Sequence, residues 1–152
     1  PGTERVTYEG QAAVELELAA CGPVPRGYPV SLRQGDDSWV VETREIISGV
    51  VADVRAGHPP GEVSARFHRT MAEAVAQVCA RHREADGVNT VALSGGTFQN
   101  VLLLEQAVEL LEQGGFTVYR HRRVPANDGG LSLGQAVLAD QVLRAGGSGR
   151  CV

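Results

Sequence analysis

The sequence predicts an α/β domain, and three observations carry that expectation. From Val88 onward the pattern alternates strand, helix, strand, helix, over residues 90–94, 98–113, 116–120 and 129–144. Strands alternating with helices imply a right-handed crossover onto a shared sheet. Two glycine pairs, Gly95-Gly96 and Gly129-Gly130, stand where a strand passes into a helix. Ligands on such sheets collect outside the carboxyl ends of the strands, so the two junctions together suggest one composite site.

The elements upstream follow from composition and spacing. Residues 9–20 are rich in strong helix formers, with Ala12, Ala13, Leu16 and Ala20 on one face, and Gly22-Pro23 ends the helix. Residues 28–32 and 39–43 flank Gly35-Asp36-Asp37 and read as a β-hairpin. Residues 44–56 place Ile46, Ile47, Val50, Val51 and Val54 at helical spacing. After the break at Pro59-Pro60-Gly61, residues 62–84 form the longest helix, with the stripe Val63, Phe67, Met71, Ala74, Val75 and Val78. Gly114-Gly115 is a C-cap signal for the helix before it. The organisation is therefore one lobe over 1–145, followed by a frayed tail over 146–152.

Composition narrows the function. A chain of 152 residues, 43% hydrophobic and 21% charged, is long enough for one real core. A net charge of −4 supplies no basic groove, so no nucleic-acid partner is expected. Only the run Arg120-His121-Arg122-Arg123 is basic, and it faces either a phosphate or solvent. Cys21, Cys79 and Cys151 form neither a CxxC nor a metal-ligand spacing, which fits a reducing compartment and a cytoplasmic location. No apolar run reaches the length of a membrane span, so no membrane partner is expected. The opening Pro1-Gly2-Thr3 lacks a starting Met, as expected of a piece of something longer, or of processing or design.

Ser94-Gly95-Gly96-Thr97-Phe98-Gln99-Asn100 is the leading candidate site. Glycines let a ligand approach the backbone, and a first helical turn offers free N–H groups with partial positive charge. Asn100 can hydrogen-bond a ribose or base, or stand as an exposed polar residue. Phe98 reads as core. Asp128 either ligates a cation or caps helix 129–144, and the pattern alone favours the cap. A cap at Asn127 instead would free Asp128. Glu9 either accepts ribose hydroxyls or favours the helix dipole. His58, His68, His82 and His121 include no HxxxH or HxH. His68 and His82 fall on a similar helix face about 21 Å apart, too far to share a metal. No Ser-His-Asp or Cys-His arrangement has local support, and no residue is a convincing general base.

Four blocks then resemble one family in its own order. They are residues 8–17, Ala65-Arg66-Phe67-His68, residues 93–100 and residues 121–136, the last containing Asn127-Asp128-Gly129-Gly130. They resemble the C-terminal end of the HypF-type carbamoyltransferases of [NiFe]-hydrogenase maturation. The resemblance implies the second lobe of a Kae1-like fold of the actin/Hsp70/sugar-kinase class, a mixed sheet with flanking helices. It implies carbamoyl transfer from carbamoyl adenylate, made from ATP, to the C-terminal cysteine of a HypE-type acceptor. It implies nucleotide contacts at Gly95, Gly96 and Asn100, ribose contact at Glu9, and a divalent metal, iron or zinc, at Asp128. The family's HxxxH metal pair and its preceding domains are absent, so the missing first lobe is an expected partner and the chain is expected to be inactive by itself. Related readings are an O- or N-carbamoyltransferase of the same superfamily, and a non-catalytic lobe that binds a partner protein.

Overall fold

The computed structural model describes residues 5–22, 26–36 and 38–145. The expected tail and Cys151 lie outside these residues. Among those described, the order is α1 (Gln11–Ala19), β1 (Ser31–Gln34), β2 (Trp39–Glu42), α2 (Thr43–Arg55), α3 (Pro60–Asp86), β3 (Thr90–Leu93), α4 (Val101–Gln113), β4 (Thr117–Arg120) and α5 (Leu131–Arg144). Short 3-10 turns over Gly96–Gln99 and Asp128–Gly130 precede α4 and α5.

The α/β expectation holds. β3 and β4 pair in parallel with α4 as the connecting helix. β1 and β2 form the expected antiparallel hairpin, closed by Gly35 N–H donating to Ser38 O at 2.7 Å. The two strand orientations are shared out between two separate two-stranded sheets. The hairpin starts at Ser31, later than residue 28, because Tyr28 is engaged elsewhere. Its N–H donates to Thr70 Oγ1 at 2.7 Å, and its hydroxyl donates to Asp53 Oδ2 at 2.7 Å. Pro29 has no N–H to add to the ladder.

The core lies between α3, α4 and the parallel pair. Leu103, Ala107 and Leu111 recur at four-residue spacing along α4 and bury one stripe against Ala72, Leu93 and Phe116. Met71 and Val75 of the predicted α3 stripe pack onto this cluster, as do Cys79 and Phe98. Burial pushes the Cys79 thiol pKa up, which makes it a poor nucleophile. His68 and His82, expected on a similar face, differ in environment: His68 is buried in α3 and His82 is exposed near its end.

Two amphipathic expectations are corrected, and a third helix also leaves its apolar side chains uncovered. Ala12, Ala13 and Leu16 of α1 face solvent, because the helix docks through polar contacts instead: Cys21 N–H donates to Gly61 O at 3.2 Å, and Ser64 Oγ donates to Leu16 O. In α2 only Ile46 is buried, while Ile47, Val51 and Val54 are exposed. In α5 no residue is buried, and Leu131, Leu133, Val137, Leu138 and Leu143 are all exposed. Periodicity identifies an apolar face but not whether the chain itself covers it. No helix among the described residues is long and apolar enough to cross a membrane.

Candidate functional site

The register of the parallel pair builds the centre of the site. Leu93 lies opposite Arg120, so the next residues on each strand, Ser94 and His121, leave the sheet side by side. Ser94 Oγ and His121 Nε2 stand 2.9 Å apart in hydrogen-bond contact. Sequence reasoning missed this pair. The only available signal was that both expected strands end at these positions, and register is not visible in a single sequence.

The two glycine junctions are tied together. Gly95, at φ 98°, donates its N–H to Ala126 O at 2.8 Å. That conformation requires glycine at 95. Gly96 is different: its φ is not in the left-handed region, and among the described residues no atom beyond its neighbours along the chain lies within 4 Å of where a Cβ would stand. Packing within the chain therefore does not exclude a side chain at Gly96, whereas a ligand lying on the backbone would.

The start of α4 overturns one expectation. Its first N–H groups are not free for an anion. Glu17 Oε1 accepts from Val101 N at 2.7 Å and from Leu102 N at 3.2 Å, and Asn100 Oδ1 accepts from Leu103 N at 2.8 Å. The protein's own carboxylate thus sits at the positive end of the helix. Asn100 is half-buried, neither fully exposed nor free of structural duty. Its Nδ2 donates to His68 Nε2 at 2.8 Å, while His68 Nδ1 donates to Ser64 O at 2.9 Å. Both ring nitrogens are satisfied by a neutral imidazole with its proton on Nδ1. The Asn100 amide nitrogen retains a second hydrogen.

At the other junction Asn127 is the cap: its Oδ1 accepts from Gly129 N at 3.1 Å. Asp128 is exposed and its carboxylate has no capping duty. One carboxylate offers a hard oxygen donor suited to a divalent cation but fills only part of a shell of about four to six ligands. No group of three or more His, Cys, Asp or Glu positioned for a metal occurs among the described residues.

The structure divides the predicted site residues between two cavities on either side of the glycine loop. Glu9, Gly96 and Asn100 line a cavity of about 410 Å³, walled by Phe67, Met71 and Leu103. Gly95 and Asp128 line another of about 400 Å³, together with Ser94 and His121. Both are of nucleoside-sized volume. Arg120, Arg122 and Arg123 border two further cavities beside the second, and none of the three forms an ion pair among the described residues.

Residues 2–135 match the family model described as Carbamoyltransferase, Kae1-like Domain, second subdomain. The chain belongs to the HypF carbamoyltransferase family. It is 36% identical over 137 residues to Carbamoyltransferase HypF of Rhodobacter capsulatus, covering 89% of this chain and 17% of that protein. It is 30% identical over 131 residues to Carbamoyltransferase HypF of Synechocystis, covering 86% and 16%. A crystal structure of full-length HypF in the phosphate- and nucleotide-bound form superposes with a TM-score of 0.86 at 38% identity, over 93% of this chain and 18% of that one. The chain thus spans about one sixth of these HypF relatives, and the fold is that of their Kae1-like domain.

Proposed function

We propose that this chain forms the nucleotide-holding lobe of a carbamoyltransferase, working together with a first lobe and donor-forming domains. The observation that carries this reading is Gly96: an open backbone with no packing reason for glycine, beside the cavity shared by Glu9 and Asn100. The nucleotide-bound state of the solved HypF relative supports it.

In this reading Glu9 accepts the ribose hydroxyls of carbamoyl adenylate. Gly96 lets the phosphate lie against the backbone, and the second Asn100 N–H orients the nucleotide. His68 fixes that amide from behind. Asp128 supplies one ligand to a divalent cation whose other ligands come from the first lobe. When bound, that cation polarises the donor and stabilises charge developing on the leaving phosphate. The acceptor is the C-terminal cysteine thiol of a HypE-type protein, and the setting is the cytoplasm. Half a ligand shell and half a cleft give weak nucleotide binding and no turnover in the chain alone.

Titration with AMP, followed by amide chemical shifts, tests the reading. Shifts are expected at Gly96, Asn100 and around Glu9, and Gly96→Val should abolish them while leaving thermal stability unchanged. Absence of shifts at millimolar AMP, or equal binding by Gly96→Val, would reject it. A partner-binding role alone is the second reading, favoured by the exposed apolar side chains of α5, none of which is buried.

A further inference from the structure

The geometry points to Ser94 and His121 as the proton-accepting pair that activates the incoming nucleophile. The inference rests on the carbamoyl-transfer reading and supplies the base that the four sequence blocks do not reveal. The parallel register fixes the pair, with Oγ and Nε2 2.9 Å apart at the carboxyl ends of β3 and β4. Both residues line the cavity that holds Asp128 and Gly95, across the glycine loop from the cavity assigned above to the nucleotide. Neither is buried, and His121 is open to exchange protons with solvent. The charged groups around it are Asp128 in the same cavity, and Arg120, Arg122, Arg123 and Glu112 in the cavities it also borders.

The step balances as follows. Ser94 O–H donates to the Nε2 lone pair of neutral His121, leaving Oγ lone pairs facing the cavity. The acceptor S–H passes its proton to Oγ as Ser94 passes its own to Nε2. The thiolate sulfur forms a bond to the carbamoyl carbon, and the bond from that carbon to the phosphate oxygen breaks. AMP leaves with the electron pair, and the imidazolium returns its proton to solvent. Ser94 is regenerated and no covalent enzyme intermediate forms. No oxidant or reductant is required.

The test uses the full-length enzyme carrying this segment, with carbamoyl phosphate, ATP and the thiol acceptor. His121→Gln keeps a hydrogen bond to Ser94 but has no titrating nitrogen. Its transfer rate should fall by about 100-fold or more, the range for loss of a general base. The acidic limb of the wild-type pH–rate profile should vanish with it. Ser94→Ala should lose a smaller factor and keep that limb, since His121 remains. Thermal melting checks that both variants are folded. A His121→Gln rate within about threefold of wild type, or an unchanged pH profile, overturns the proposal while leaving the carbamoyl-transfer reading intact. Should His121→Gln fail to fold, a wild-type transfer rate in Ser94→Ala overturns it equally. Absence of transfer in the wild-type enzyme rejects the carbamoyl reading and this proposal together.

Discussion

Tyr28 is the residue through which three elements communicate. It is 2% exposed, donates its hydroxyl hydrogen to Asp53 on α2 and its backbone N–H to Thr70 Oγ1 on α3, and stacks beneath the Arg66 guanidinium at 4.4 Å. Burial, then the hydrogen bond to Asp53, pushes the phenol up to about 12. The same hydrogen bond is the largest cause holding the Asp53 carboxyl below its ordinary range, with Arg66 adding to it. The phenol is stabilised in its protonated form, so its contribution is full below pH 10 and lost as pH rises towards about 12. The carboxyl is stabilised in its ionised form, so its contribution is present above its unfolded pKa and lost as pH falls through the folded value. Tyr28→Phe should therefore cost about 1–2 kcal/mol near neutral pH, because a half-buried carboxylate loses a donor. It should also remove the alkaline loss of stability and soften the acid one. Urea denaturation across pH checks all three outcomes.

At the scale of elements, capping decides how the glycine loop is held. The ring of hydrogen bonds through Glu17, Asn100, His68 and Ser64 fastens α1 and α3 to the start of α4. Glu17→Ala should strand two N–H groups at the end of a helix and remove a favourable charge, lowering stability by about 1–2 kcal/mol. The urea midpoint should fall with its slope unchanged. Glu17 was legible only as a helix-forming residue within 9–20, because its partners lie more than eighty residues further along the chain. The cap before α5 was legible only to within one residue: the pattern favoured Asp128, with Asn127 as the alternative, and the structure gives the cap to Asn127.

At the scale of the whole molecule, α5 is left without a buried residue by the other described residues. None of its residues is buried, although Leu133, Leu138 and Leu143 are 52%, 62% and 77% exposed. Leu138→Gln should change the stability of the chain by no more than about 0.5 kcal/mol, as for a surface substitution. A loss of several kcal/mol in thermal or urea unfolding would show that α5 is packed within this chain after all. Gly134 points the same way. It sits inside a helix, where glycine costs about 1 kcal/mol against alanine, yet among the described residues no atom beyond its chain neighbours and its own helix backbone comes within 4 Å of the place of its missing side chain.

The sequence by itself determined the alternation of strands and helices, the β-hairpin, the glycine junctions and the family. Each of these is written in short-range spacing or in contiguous blocks of residues. Tertiary structure decided the rest. It separated Glu9 and Asn100 from Asp128 into cavities on either side of one loop, and it filled the α4 terminus with Glu17. It set Ser94 against His121, twenty-seven residues apart. The physical reason is that strand register and helix docking are fixed by side chains distant in sequence, so the pairings they create leave no local pattern.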